Sequence, residues 1–125
     1  METTQIMQNV AVLDIVNLTP HTITLLDSHD QPILLIASSG VARVSAQTTV
    51  IGYYFLKGTE IPRTHTVYGQ IEGLPEPTRG TLYIVSGMVK SALAAQGIIR
   101  EDVVVPGTQV RDEQGRVIGC HSLDI

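Results

Sequence analysis

Ser86 and Gly87 stand where a short apolar run, Thr81-Leu-Tyr-Ile-Val, gives way to Met88-Val-Lys-Ser-Ala-Leu-Ala-Ala-Gln, which has the composition of a helix. A serine there caps a helix by accepting from an amide of the first turn. The unpaired amides of a helix start, with their partial positive charge, also suit an anion, and Gly87 lets a ligand come close to the backbone. The basic residues are mostly arginine (Arg43, Arg63, Arg79, Arg100, Arg111 and Arg116, against Lys57 and Lys90), and the planar guanidinium fork matches phosphate. If Arg43 or Arg111 converged on Ser86, the group would grip a phosphate. The plainer reading is a capped helix and scattered surface arginines.

Nucleophilic and metal chemistry find less support. A serine between strand and helix suggests a nucleophile elbow, but that motif needs glycine two residues to either side, and Ile84 and Met88 occupy those places. Cys120 and His121 are adjacent, so on a strand they point to opposite faces and do not form a dyad. His21, His29, His65 and Cys120 show none of the short paired spacings of zinc sites, and no metal or cofactor is assigned. Glu101-Asp102 and Asp112-Glu113 fall in or beside turns, where carboxylates commonly cap backbone groups.

Asn17, Thr19 and His21 surround Pro20, which has no N-H to donate and forces the chain out of a ladder. Polar side chains at such a break either satisfy the freed backbone or face a ligand. Tyr53-Tyr54-Phe55 could stack on a base, or pack in a core or interface.

The elements that must position these residues are mostly strands. Val10–Val16, Thr22–Asp27 and Pro32–Ala37 read as strands from their β-branched, alternating composition. Val41–Ala46 reads as another short strand, Thr48–Lys57 as a further one closed by Gly58, and Ile61–Ile71 as extended. Gly73-Leu-Pro-Glu-Pro-Thr-Arg-Gly is a stiff connector, because Pro75 and Pro77 fix two φ angles. Thr81–Val85 is continuously apolar, the pattern of a strand buried on both faces. The helix from Met88 to Gln96 places Val89, Ala92, Leu93 and Gln96 on one stripe, with Gly97 as its stop. Asp102–Val105 is a strand ended by a turn at Pro106-Gly107, and Gln109–Cys120 a hairpin closed by Asp112-Glu-Gln-Gly. Residues 1–9 read as a flexible tail and 10–125 as a single β-rich α+β domain. The expected architecture is a compact antiparallel sandwich, or a partly open barrel with one helix packed on the sheet.

Composition bounds the function. At 125 residues the chain holds one core. It is 43% hydrophobic and 16% charged, against about a quarter charged in ordinary soluble domains. The surplus apolar surface of so small a domain implies association, here as a homo-oligomer. Net charge is −4, which argues against long nucleic acids as partners. No apolar run nears the length of a membrane span, no signal-peptide pattern opens the chain, and a lone cysteine fits a reducing compartment. The expected location is the cytoplasm, with no membrane partner.

Asn17-Leu-Thr-Pro-His, Gly40-Val-Ala-Arg-Val-Ser, Gly73-Leu-Pro-Glu-Pro, Tyr83-Ile-Val-Ser and Pro106-Gly-Thr-Gln-Val-Arg-Asp-Glu-Gln-Gly-Arg-Val-Ile-Gly-Cys together resemble a small family of uncharacterised proteins of bacteriophage and bacterial genomes. The resemblance runs over most of the chain after the N-terminal residues and implies relatives rather than a mechanism. In size and setting the chain is similar to phage proteins that sequester cyclic nucleotide immune signals. The expectation is an anti-defence protein that holds a cyclic nucleotide or cyclic ADP-ribose-like signal without cleaving it, in the host cytoplasm if phage-encoded. Its binding residues would be Asn17, Thr19, His21, Arg43, Ser86, Arg111 and His121. The rivals are an enzyme degrading such a nucleotide, with a histidine or carboxylate as general base, and a structural or protein-interaction module.

Overall fold

The computed structural model describes residues 11–125; the expected tail at 1–9 lies outside them. In chain order the elements are β1 (Asp14–Asn17), β2 (Ile23–Leu26), β3 (Pro32–Ile36), β4 (Arg43–Leu56), β5 (Thr59–Glu72), β6 (Thr81–Ile84), α1 (Gly87–Ala95), β7 (Val103–Arg111) and β8 (Val117–Asp124). Six strands form one sheet in the order β1-β6-β7-β8-β2-β3, and β4 and β5 pair only with each other. A parallel bridge between Asn17 and Ser38, with the Ser39 amide donating to the Asn17 carbonyl at 2.9 Å, draws the two sheet edges together. The result is a nearly closed barrel with one helix packed on it, the second of the two expected architectures.

Strand directions are mixed rather than uniformly antiparallel. β1 runs parallel to β6, β6 to β7 and β2 to β8, whereas β2–β3 and β7–β8 are antiparallel. The helix explains the β6–β7 pair, because a crossover through α1 returns the chain to the end from which β6 started. Ser86 caps α1, its hydroxyl accepting from the Val89 amide at 3.3 Å. At the other end Gly97 takes φ 72, and the Ile98 amide reaches back to the Leu93 carbonyl at 2.9 Å. That glycine-terminated reversal ends the helix at the expected place.

The continuously apolar β6 is buried on both faces, as its composition requires. Successive residues alternate: Tyr83 and Val85 join Val89, Leu93, Leu18, Ala42 and Val103 between sheet and helix, while Ile84 meets Val104 and Ile36 inside the barrel. Full burial of a side chain the size of Ile84 contributes about 2–3 kcal/mol.

Two expected breaks do not form. Thr48–Lys57 is not separate from Val41–Ala46, because β4 runs unbroken for 14 residues against an equally long β5. The register absorbs irregularities between Val44 and Ala46 and between Val50 and Gly52, and Thr48 and Thr66 join hydroxyls across the ladder at 2.8 Å. Lys57 and Gly58 make the turn, both with positive φ, 50 and 79, as a two-residue hairpin turn matched to strand twist requires. Likewise β7 passes through Pro106-Gly107 without turning, Pro106 opposite Leu123 and Gly107 opposite Ser122. Gly107 serves close approach instead, since a Cβ there would lie 2.6 Å from the Ser122 hydroxyl.

Candidate functional site

The Pro20 break is built from the polar residues around it. Asn17 is fully buried; its Nδ2 donates to the carbonyls of His21 at 2.7 Å and Ile36 at 2.9 Å. Its Oδ1 accepts from the Thr19 amide at 2.9 Å and the Thr19 hydroxyl at 2.7 Å. Two donors and two acceptor positions are all a carboxamide has, so Asn17 holds the bend between β1 and β2 with nothing left for a ligand. Thr19 is buried beside it, and the imidazole of His21 is exposed. Of the two readings of this cluster, the geometry takes the one in which side chains satisfy freed backbone.

The remaining candidates are distributed over the fold. Ser86 is engaged as the α1 cap. Arg111 donates from Nη1 to the Gly115 carbonyl at 2.7 Å, bracing the β7–β8 turn, where the Asp112 carboxylate also accepts from the amides of Gln114 and Arg116, both at 2.9 Å. Ile84 is paired with Val104 and β6 runs parallel to β7, so Arg111 lies about five residues beyond the level of Ser86, roughly 17 Å at strand rise. His121 bonds Asp30 through Nε2 at 2.8 Å, pinning β8 to the β2–β3 turn. Arg43, at the start of β4, lines a depression of about 310 Å³ with Val44, Ser45, Gln70 and Glu72. Arg43, Ser86 and Arg111 thus sit at the start of β4, at the α1 cap and beside the β7–β8 turn.

Cys120 and His121 do point to opposite sides. Cys120 is buried, and burial pushes its thiol above the usual range, the opposite of what a nucleophilic thiolate needs. It forms part of the wall of a cavity of about 120 Å³ between β2, β7 and β8, with Thr22, Thr24, Pro106 and Gln109. That is well short of the roughly 300 Å³ at which small-molecule pockets begin. Among the described residues no three His, Cys, Asp or Glu side chains gather as a metal set, and no helix is long and apolar enough to cross a membrane.

What sequence reading missed is the hairpin of β4 and β5 as a unit. Its strands are about 45 Å long at standard rise, and only its root is held to the body. There Val44 and Ile71 pack on the core under α1, and Gln96 donates to the Gly69 carbonyl at 2.8 Å. Further out, Val50, Ile51, Tyr53, Tyr54, Phe55, Leu56, Ile61 and Val67 are all exposed, Phe55 to 71%. Cross-strand partners share a face, so Tyr53 opposite Pro62 and Tyr54 opposite Ile61 put apolar groups on both faces of the ribbon. Arg63 lies over the Tyr54 ring at 5.8 Å. From Val44 to Ile71 the only charged residues are Lys57, Glu60 and Arg63, whereas solvent-exposed strand edges are ordinarily guarded by charge. That scarcity, with a Lys-Gly turn between two equal β-forming runs, was the available signal.

No family model, curated protein or solved structure matches the chain.

Proposed function

We propose that this protein is an interaction module that works by presenting the β4–β5 arm to a protein surface. The observation that carries the reading is the arm itself, a two-stranded ribbon apolar on both faces and bonded to no third strand. An isolated ribbon of this kind is marginal in water, and its eight exposed apolar side chains, divided between two faces, give each face a patch in the roughly 300–600 Å² range that is often functional. Covering the ribbon removes both liabilities.

The test compares wild type with Phe55→Asp and Leu56→Asp, each first checked for a native circular dichroism spectrum and a cooperative melt. Light scattering of the pure protein, and mass spectrometry of complexes isolated at defined stoichiometry, should find wild type associated and both variants released. A wild type that is a lone 13.5 kDa particle with no stoichiometric protein partner, indistinguishable from the variants, overturns the reading.

A second reading is that a small phosphorylated signal is held without turnover, as an anti-defence sponge would hold it. The depression containing Arg43, with Ser45 and Gln70 as further polar groups, supports it; its volume is at the lower end for such ligands. Glu72 on the same wall opposes an anion. Incubation with cyclic dinucleotides and cyclic ADP-ribose, followed by removal of free ligand and heat denaturation, should release intact ligand. The Arg43→Glu variant should take up none. Altered ligand would mean catalysis, and absence of uptake removes the reading.

A further inference from the structure

We infer that the surface covering the arm is a second copy of this chain, and that the arm seats in the apolar groove at the β1–β3 side of that copy's barrel. The inference rests on the interaction-module reading and names the arm's partner.

The receiving surface is as bare as the arm. A groove of about 280 Å³ is lined by Val12, Leu13, Asp14, Ile15, Leu34, Leu82 and Leu123. Leu13 is 84% exposed, and on β3 the consecutive residues Ile33, Leu34 and Leu35 are all exposed. Because successive strand residues face opposite ways, β3 is bare on both sides as well as along the edge that, among the described residues, pairs with no other strand. A barrel that stops short of closing at this seam offers both an apolar wall and unpaired backbone to an incoming ribbon.

Area and charge select a copy of the same chain. One face of the arm presents roughly 400 Å² of apolar side chain, so in a reciprocal pair arm and groove together give each partner about 800 Å², one partner's share of a standard interface. The arm's end carries Lys57, Glu60 and Arg63, one net positive charge, and the groove carries Asp14, so opposite net charges meet when apolar walls meet. An arm-to-groove contact joins two different patches, so it closes as a reciprocal pair or as a ring.

Cysteine pairing tests the contact. In a Cys120→Ala background, Leu34→Cys places a thiol in the groove and Phe55→Cys one on the arm. Mixing the two proteins and oxidising them should give the mixed disulfide in preference to either homodisulfide. In parallel, Leu34→Arg, if its circular dichroism spectrum matches wild type, should reduce the solution mass from a multiple of 13.5 kDa to that value. A variant without a native spectrum is replaced by Leu13→Arg on the same wall. Exclusive Phe55–Phe55 site pairing would show arm against arm and overturn the groove. A wild type that is monomeric, yet bound through the arm to another protein, would overturn this inference and leave the interaction-module reading standing. Arm variants with no effect on any association would end both.

Discussion

Arg100 and Asp102 face each other through two parallel hydrogen bonds, Nε to Oδ1 at 2.7 Å and Nη2 to Oδ2 at 2.8 Å, and Nη2 also donates to the Pro75 carbonyl at 2.9 Å. The pair therefore ties the proline connector to the turn between α1 and β7. The guanidinium of Arg100 holds the Asp102 carboxyl below the usual carboxylate range. A depressed folded-state pKa gives stability that is complete above the unfolded value of about 3.9 and is lost as pH falls through the lower, folded one. Asp102→Asn should cost about 1–3 kcal/mol at neutral pH. Its urea-unfolding free energy should also change less than that of wild type below about pH 4. Parallel pH profiles for the two proteins would remove the pair from the acid response.

Asn17 makes a sharper case, because its amide donates to the buried carbonyl of Ile36. Asn17→Asp keeps the acceptor to Thr19 and loses both donors, so a carboxylate would face two carbonyl oxygens in a buried site. We expect a loss of roughly 3 kcal/mol or more, measured by chemical denaturation, with part of it recovered at low pH as the carboxyl gains a proton. Asn17→Ala should be destabilised by a similar amount but without that pH dependence. A stable Asn17→Asp would show that the side chain is not holding the bend.

The helix, its serine cap and its glycine stop were legible because they depend on neighbours in sequence, as was the doubly buried β6. The Asp112-to-Gly115 turn was legible for the same reason. The arm was not, since nothing local distinguishes a strand that ends at Ala46 from one that continues through Gln47 opposite Val67. Glycine misled at 107, where the sequence cannot say whether it serves a turn or a close neighbour. The site residues fared according to the same rule. That Asn17 and Thr19 would answer the Pro20 break was one of two local alternatives, whereas the convergence of Arg43, Ser86 and Arg111 was a long-range proposition that no local signal could carry.

Gly73 ends the arm with φ 80, and a Cβ there would lie 2.8 Å from the Val41 carbonyl oxygen. Gly73→Ala meets both a disfavoured backbone conformation and a backbone atom that cannot swing away. The expected cost is about 2–3 kcal/mol, read as a lower thermal midpoint. Gly58→Ala in the arm's turn, also at positive φ but with open space around it, should cost less. Equal effects would show that crowding at Val41 does not matter.

Cys120 gives a chemical probe of barrel opening. Burial raises its thiol, so alkylation at pH 8 should be slow in the folded protein and fast in urea. A Cβ on Gly119 would lie 2.7 Å from Leu26, so Gly119→Ala should strain the β2–β8 seam and accelerate labelling several-fold. Rapid alkylation of native wild type would contradict the burial of this thiol.

Association through the arm has a thermodynamic signature independent of any structural probe. Phe55 contributes to neither of the two core clusters, so Phe55→Ser removes little from the folded monomer. What it removes is interface, and a species that binds only the native state raises the apparent stability by mass action. The thermal midpoint of wild type should therefore rise as its concentration rises, by a few degrees over a hundredfold range, while that of Phe55→Ser stays constant. At the lowest concentrations the two should converge. If Phe55→Ser instead melts well below wild type even at high dilution, the side chain supports the fold of the single chain and the arm is not an interface; if both curves are flat in concentration, copies of this chain do not assemble.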